Sequence, residues 1–127
     1  MKRLIKFRAW DKSTNAMIYF DLTDIYKKEL AQGHYQTMIK EVCFEHPVYG
    51  VNPDIILMQY TGLHDSKGTE IYEGDIVDFP ETKGCSVYFE KGAFMITNPW
   101  GNKWLLMQNA FNCEVIGNIH EGGTPNE

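Results

Sequence analysis

With 127 residues, of which 43% are hydrophobic and 13% aromatic, the chain is long enough for one real core and too apolar to be disordered over most of its length. No apolar run approaches the roughly 18 residues of a membrane-spanning helix, and Lys6 and Arg8 interrupt the basic N-terminus before any signal-like stretch forms, so the expected location is the cytoplasm. The net charge of −5 is unevenly spread: eight Lys/Arg and four Asp/Glu precede residue 41, and four and thirteen follow. Such asymmetry fits either a basic surface for an acidic partner or, as we favour, a basic N-terminal segment packed beside an acidic remainder.

Ile5-Lys6-Phe7-Arg8-Ala9-Trp10 alternates apolar and basic residues, which predicts a strand with Ile5, Phe7 and Ala9 inward and a wet face bearing Lys6 and Arg8. Asp11 to Asn15 is turn chemistry, and Ala16 to Phe20 is the expected return strand of a hairpin. The single helix is expected next: Asp21 can cap it, Leu22, Ile25, Tyr26 and Leu30 share a face, and Gly33 can end it. Met38 to Phe44 resumes a strand pattern, and His46-Pro47 to Pro53-Asp54 is a loop, since both prolines lack the donor that a central strand needs.

From residue 55 the expected elements are short. Strands are predicted over Ile56–Tyr60, Asp75–Phe79, Cys85–Glu90, Ala93–Thr97, Trp104–Gln108 and Cys113–Ile119. The turns fall at Asp65–Gly68, Lys91-Gly92 and Asn98–Gly101. The fold class is therefore mainly β with one short helix, and the spacing suggests a small antiparallel barrel or rolled sheet. A single domain is expected over 1–121, with a hairpin and helix in 1–55, the small barrel in 56–121 and a flexible terminus at 122–127.

No phosphate-cradling loop, nucleophile elbow or zinc-protease signature occurs, and Gly62, Gly68 and Gly74 are expected in turns. Cys43, Cys85 and Cys113 are apolar-flanked and widely spaced, as buried, inert thiols would be. Cys43 and His46 lack the second pair that a zinc site requires, and no cofactor or metal is expected. The acids Asp65, Glu70, Glu73, Asp75 and Asp78 offer ligands for a divalent ion in a small hydrolase, although period-two alternation already explains their placement. Trp10, Trp100 and Trp104, with Tyr60, Tyr72, Tyr88 and Phe94, would stack bases only beside a basic groove. Around Trp100 and Trp104 the only cations are Lys91 and Lys103.

Three blocks carry a family resemblance. Phe7-Arg8-Ala9-Trp10-Asp11, followed by Met17, resembles the opening of the YopX family of bacteriophage and prophage proteins. The stretch from Leu57 to Val77, centred on Thr61-Gly62-Leu63-His64-Asp65-Ser66-Lys67-Gly68, is similar to that family's most characteristic segment. Glu114 to Glu121 resembles its closing motif. Tyr72 to Val77 also looks like the start of an SH3-like barrel. The resemblance implies a phage-encoded, mostly β protein in a bacterial cytoplasm, from a family without an established activity. It carries over no catalytic residue, because a motif of turns and core residues reports a fold and not a reaction.

The expectation is a non-enzymatic accessory protein that binds a phage or host protein and forms a homo-oligomer. The expected binding residues are Trp10, Asp11, Tyr60, Tyr72, Glu73 and Trp100, turn-adjacent aromatics and acids of the kind that loops present. The alternative is a nucleic-acid-associated regulator using Lys2, Arg3, Lys6, Arg8 and Lys12 against phosphates. The third reading is the metal-dependent hydrolase, with Glu70 to Asp78 as its acids.

Overall fold

The computed structural model describes residues 5–21 and 54–121. The helix expected from Asp21 to Gly33, the strand over Met38–Phe44 and the loop that follows lie largely or wholly outside these residues, as do Cys43 and the 122–127 terminus. Among the described residues are nine strands and one short 3-10 turn, so the protein is mainly β, and the strand pairings among these residues are antiparallel. The chain divides into two compact units between Gln59 and Tyr60.

In the N-terminal unit, β1 (Lys6–Asp11) and β2 (Ala16–Asp21) form the expected hairpin, in register from Lys6↔Asp21 to Asp11↔Ala16. The other edge of β1 pairs with the first half of β3 (Ile55–His64), from Phe7↔Gln59 to Asp11↔Ile55. Asp11 closes the β1–β2 turn, its Oδ1 accepting the Ser13 N–H at 2.9 Å and the Ser13 hydroxyl at 2.6 Å. The wet face expected for β1 is not observed. Arg8 is only 3% exposed and is engaged, while Ala9, Trp10 and Asp11 are buried too. An alternating pattern shows which residues share a face, and a long Arg stem can be buried when its head finds partners.

The C-terminal unit holds the second half of β3 and a short β4 (Glu70–Tyr72), paired at Tyr60↔Tyr72 and His64↔Glu70 across an irregular register. Gly62 sits at that irregularity within β3, and not in a turn as expected; its φ of +86° is a conformation that a side chain would strain. Thr61 bridges the break: its hydroxyl donates to the Ile71 carbonyl at 2.8 Å and accepts the Leu63 N–H at 3.2 Å.

A five-stranded sheet completes this unit in the order β8-β7-β6-β5-β9, from β5 (Asp75–Asp78), β6 (Cys85–Glu90), β7 (Ala93–Thr97), β8 (Lys103–Leu105) and β9 (Glu114–Asn118). The sheets are not closed into a barrel. Val77, Cys85, Val87 and Ile96 line one face and pack with Ile71, Leu106, Ala110 and Cys113. Each large aliphatic side chain buried here stabilises the fold by about 1.5–3 kcal/mol. Lys91 and Gly92, with φ of +52° and +84°, form the tight β6–β7 turn, whose twist suits a two-residue hairpin.

The strand expected over Trp104–Gln108 stops at Leu105. Leu106 is fully buried in the core and its N–H donates to the Phe94 carbonyl at 3.1 Å. The Asn109 amide then donates to the Leu105 carbonyl at 2.6 Å, and a 3-10 turn over Ala110–Asn112 leads into β9.

Candidate functional site

The acids singled out in the sequence are mostly engaged by backbone. Asp65 is buried, and its carboxylate accepts the N–H groups of Lys67 at 2.9 Å, Thr69 at 2.8 Å and, fifty residues away, Val115 at 2.8 Å. Burial pushes this carboxyl up, but the N–H groups of Val115, Thr69 and Lys67, with the Lys67 charge, outweigh burial and hold it below the ordinary 3.8. Asp75 accepts the Tyr72 N–H at 2.8 Å, and Asp78 accepts the Gly84 N–H at 2.8 Å. Among the described residues no group of three or more His, Cys, Asp or Glu is placed to hold a metal ion.

Two of the three family-like blocks meet through Asp65. Besides its bond to Val115, the Ser66 N–H donates to the Cys113 carbonyl at 2.9 Å, Lys67 pairs with Glu114 at 3.2 Å, and the Ile119 N–H donates to the Gly74 carbonyl at 2.9 Å. The turn thus latches the start of edge strand β9, occupying backbone groups that an exposed edge would offer to another chain.

The six expected binding residues are distributed over both units. Trp10 and Asp11 are buried on β1. Tyr60 and Tyr72 are brought together, ring centroids 5.4 Å apart, and both are buried. The Tyr60 ring also meets His64 edge-on at 6.0 Å. Glu73 follows Tyr72 in the β4–β5 turn and is half-buried. Trp100 is 78% exposed at the tip of the β7–β8 hairpin, where Asn98 Oδ1 accepts the N–H groups of Trp100 at 3.0 Å and Asn102 at 2.9 Å. Of the basic side chains considered for phosphates, Arg8 is buried, Lys6 half-buried and Lys12 exposed; Lys2 and Arg3 lie outside the described residues.

One concave feature of the C-terminal unit was not legible in the sequence. A cleft of about 410 Å³ is lined by Phe79, Pro80, Glu81, Thr82, Trp104, Asn109 and Asn112. One wall is the β5–β6 loop, held by Asp78 to Gly84 and by the Phe79 N–H donating to the Thr82 carbonyl at 2.8 Å. The other wall is the segment after β8. There the Asn109 N–H donates to the Leu106 carbonyl at 2.8 Å and the Asn112 N–H to the Asn109 carbonyl at 3.1 Å. The rings of Phe79 and Trp104 meet in the cleft lining at 6.0 Å, tilted by 57°. On the second wall's own segment, Met107 is 63% and Phe111 77% exposed.

Cys85 and Cys113 lie on the two flanking segments as free, buried thiols. Burial, and then the Asp65 charge, pushes Cys113 up to about 11, and its Sγ–H donates to the Ala110 carbonyl at 3.3 Å. Burial, followed by the Asp78 charge, also raises Cys85. At neutral pH both are thiols and poor nucleophiles. The cleft lining itself provides two aromatic rings, one carboxylate, two amides and a hydroxyl, a set suited to holding a ligand.

A family model described as YopX protein matches residues 6–124. The chain belongs to the YopX family. Its fold is also similar to the crystal structure of protein EF1440 from Enterococcus faecalis, with a TM-score of 0.57 and 22% sequence identity over 94% of this chain and 96% of that one. At that identity the likeness shows a shared fold. No curated protein matches the chain. In this YopX-family chain no helix among the described residues is long and apolar enough to cross a membrane.

Proposed function

We propose that this YopX-family chain is a non-enzymatic, phage-encoded accessory protein that works in the bacterial cytoplasm as a protein-binding module and self-associates. The observation that carries the reading is the aromatic-lined cleft beside exposed Met107 and Phe111, the combination of pocket and apolar anchors on which protein interfaces concentrate their binding energy. The engagement of Asp65, Asp75 and Asp78 by backbone N–H groups supports a structural role for those acids over a catalytic one. Trp100, exposed on a hairpin tip where Asn98 holds its backbone N–H, is a further anchor.

Affinity capture from bacterial lysate, with wild type beside Phe111→Asp and Met107→Asp, tests the binding module. The expected result is a protein retained by wild type and lost from both variants; recovery indifferent to either substitution removes this wall as the docking surface. Light scattering at high micromolar concentration tests self-association, for which an oligomer is expected. A strict monomer ends that part of the reading.

A further inference from the structure

The cleft lining is asymmetric in charge. Its single ionisable group is Glu81, and no Lys or Arg lines it. Two half-buried acids of the same unit have cationic partners, Glu114 with Lys67 and Glu90 with Lys103, each at 3.2 Å. Glu81 has neither an ion pair nor a hydrogen bond among the described residues. The Asn109 side chain spends one of its two Nδ2 hydrogens on the Leu105 carbonyl, which fixes the amide's orientation and leaves its oxygen to accept. Aromatic faces attract cations, and a guanidinium stacks flat on such rings while spreading five donors in its plane.

We infer that this cleft receives a cationic side chain, arginine before lysine, carried on a basic segment of a protein partner. The half-buried Trp104 ring, backed by the buried Phe79, takes the flat face of the guanidinium, Glu81 neutralises it, and the Asn109 carbonyl oxygen accepts from its edge. The acidic balance from residue 60 onward, ten Asp/Glu against four Lys/Arg, draws a basic segment towards the unit. The same balance repels a phosphate backbone, which sets single-stranded nucleic acid aside as the occupant of this aromatic lining. The inference rests on the protein-binding reading and names the chemistry of the partner.

The test is an amide chemical-shift titration of the full chain with three acetylated, amidated pentapeptides, each carrying two arginines, two lysines or two citrullines between glycines. Citrulline keeps the shape of arginine without its charge. The expected result is saturable shifts at residues 79–82 and 104–112, with the arginine peptide about threefold or more tighter than the lysine one and no saturation for citrulline. Glu81→Gln is expected to weaken the arginine peptide by about fivefold and Glu81→Lys to abolish its binding. Both are exposed-loop substitutions that leave the core intact, whereas Trp104→Ala risks the fold. Equal binding of citrulline, shifts spread over the acidic surface, or saturable shifts in the cleft with a neutral trisaccharide such as maltotriose would each overturn the inference. If the arginine peptide fails while lysate capture still depends on Phe111, the cation site falls and the binding module stands. If both fail, both fall.

Discussion

Asp65 and Glu81 are carboxylates of the same unit with opposite circumstances. Asp65 is buried and receives three backbone N–H groups, one from a strand fifty residues away. Glu81 is exposed on the rim of a cleft and receives none from the described residues. A buried acid whose oxygens are filled by backbone donors reports the architecture. An unmatched acid beside aromatic rings reports what the surface can still bind. The residues that give the family its likeness belong to the first kind, and the candidate site to the second.

The largest expected effect is on the Asp65 side of this contrast. Asp65→Ala strands the N–H groups of Lys67, Thr69 and Val115, and should cost about 3–4 kcal/mol in chemical denaturation. A loss under about 1 kcal/mol would mean that water replaces the carboxylate and the latch is dispensable. Because the folded pKa lies below 3.8, the stability due to this ionisation is fully present above that value. It is lost as pH falls through the lower folded pKa. Asp65→Asn should flatten that acid limb of the stability profile.

Next in size is the buried thiol beside it. Cys113 is raised from 9.0 to about 11 in the folded state, so its contribution is complete below pH 9 and lost as pH rises through about 11. By linkage this amounts to about 2–3 kcal/mol. Stability of wild type should therefore decline over that window more steeply than that of Cys113→Ala. Alkylation by a maleimide at neutral pH should need denaturant; rapid labelling of the native chain at Cys113 would break the assignment.

Gly92→Ala comes third. The φ of +84° disfavours any side chain although nothing lies within 4 Å of the added Cβ, so a cost of about 1–2 kcal/mol is expected from backbone strain alone. Thermal unfolding of this variant against wild type checks it. The smallest effects belong to the exposed side. Glu81→Gln and Lys67→Ala should each change stability by less than about 0.5 kcal/mol, and a larger loss for Glu81→Gln would show that this acid, too, is structural.

Legibility followed how local the cause was. The β6–β7 hairpin was readable because the short apolar, aromatic-rich runs Cys85–Glu90 and Ala93–Thr97 flank the turn pair Lys91-Gly92, all within thirteen residues. The β4 strand went unseen, being only three residues long and so without a period to detect. Trp104–Gln108 was read too far because an apolar run looks alike whether it continues a sheet or turns Leu106 into a core. Arg8 was placed in solvent by its charge, although burial depends on what lies over the strand. Of the expected binding residues, Tyr60 and Tyr72 meet, while the cleft draws on two loops some 25 residues apart and on asparagines that read as ordinary turn formers.

Local chemistry alone determined that this chain makes antiparallel strands and where most of its tight turns fall, since side-chain alternation and left-handed turn residues act over a few neighbouring positions. Which acids are spent on backbone donors, which thiols lose water and where a concave surface opens were decided by tertiary structure. Those outcomes depend on the partner that folding brings from far along the chain, as Val115 is brought to Asp65, and no short window of sequence contains both.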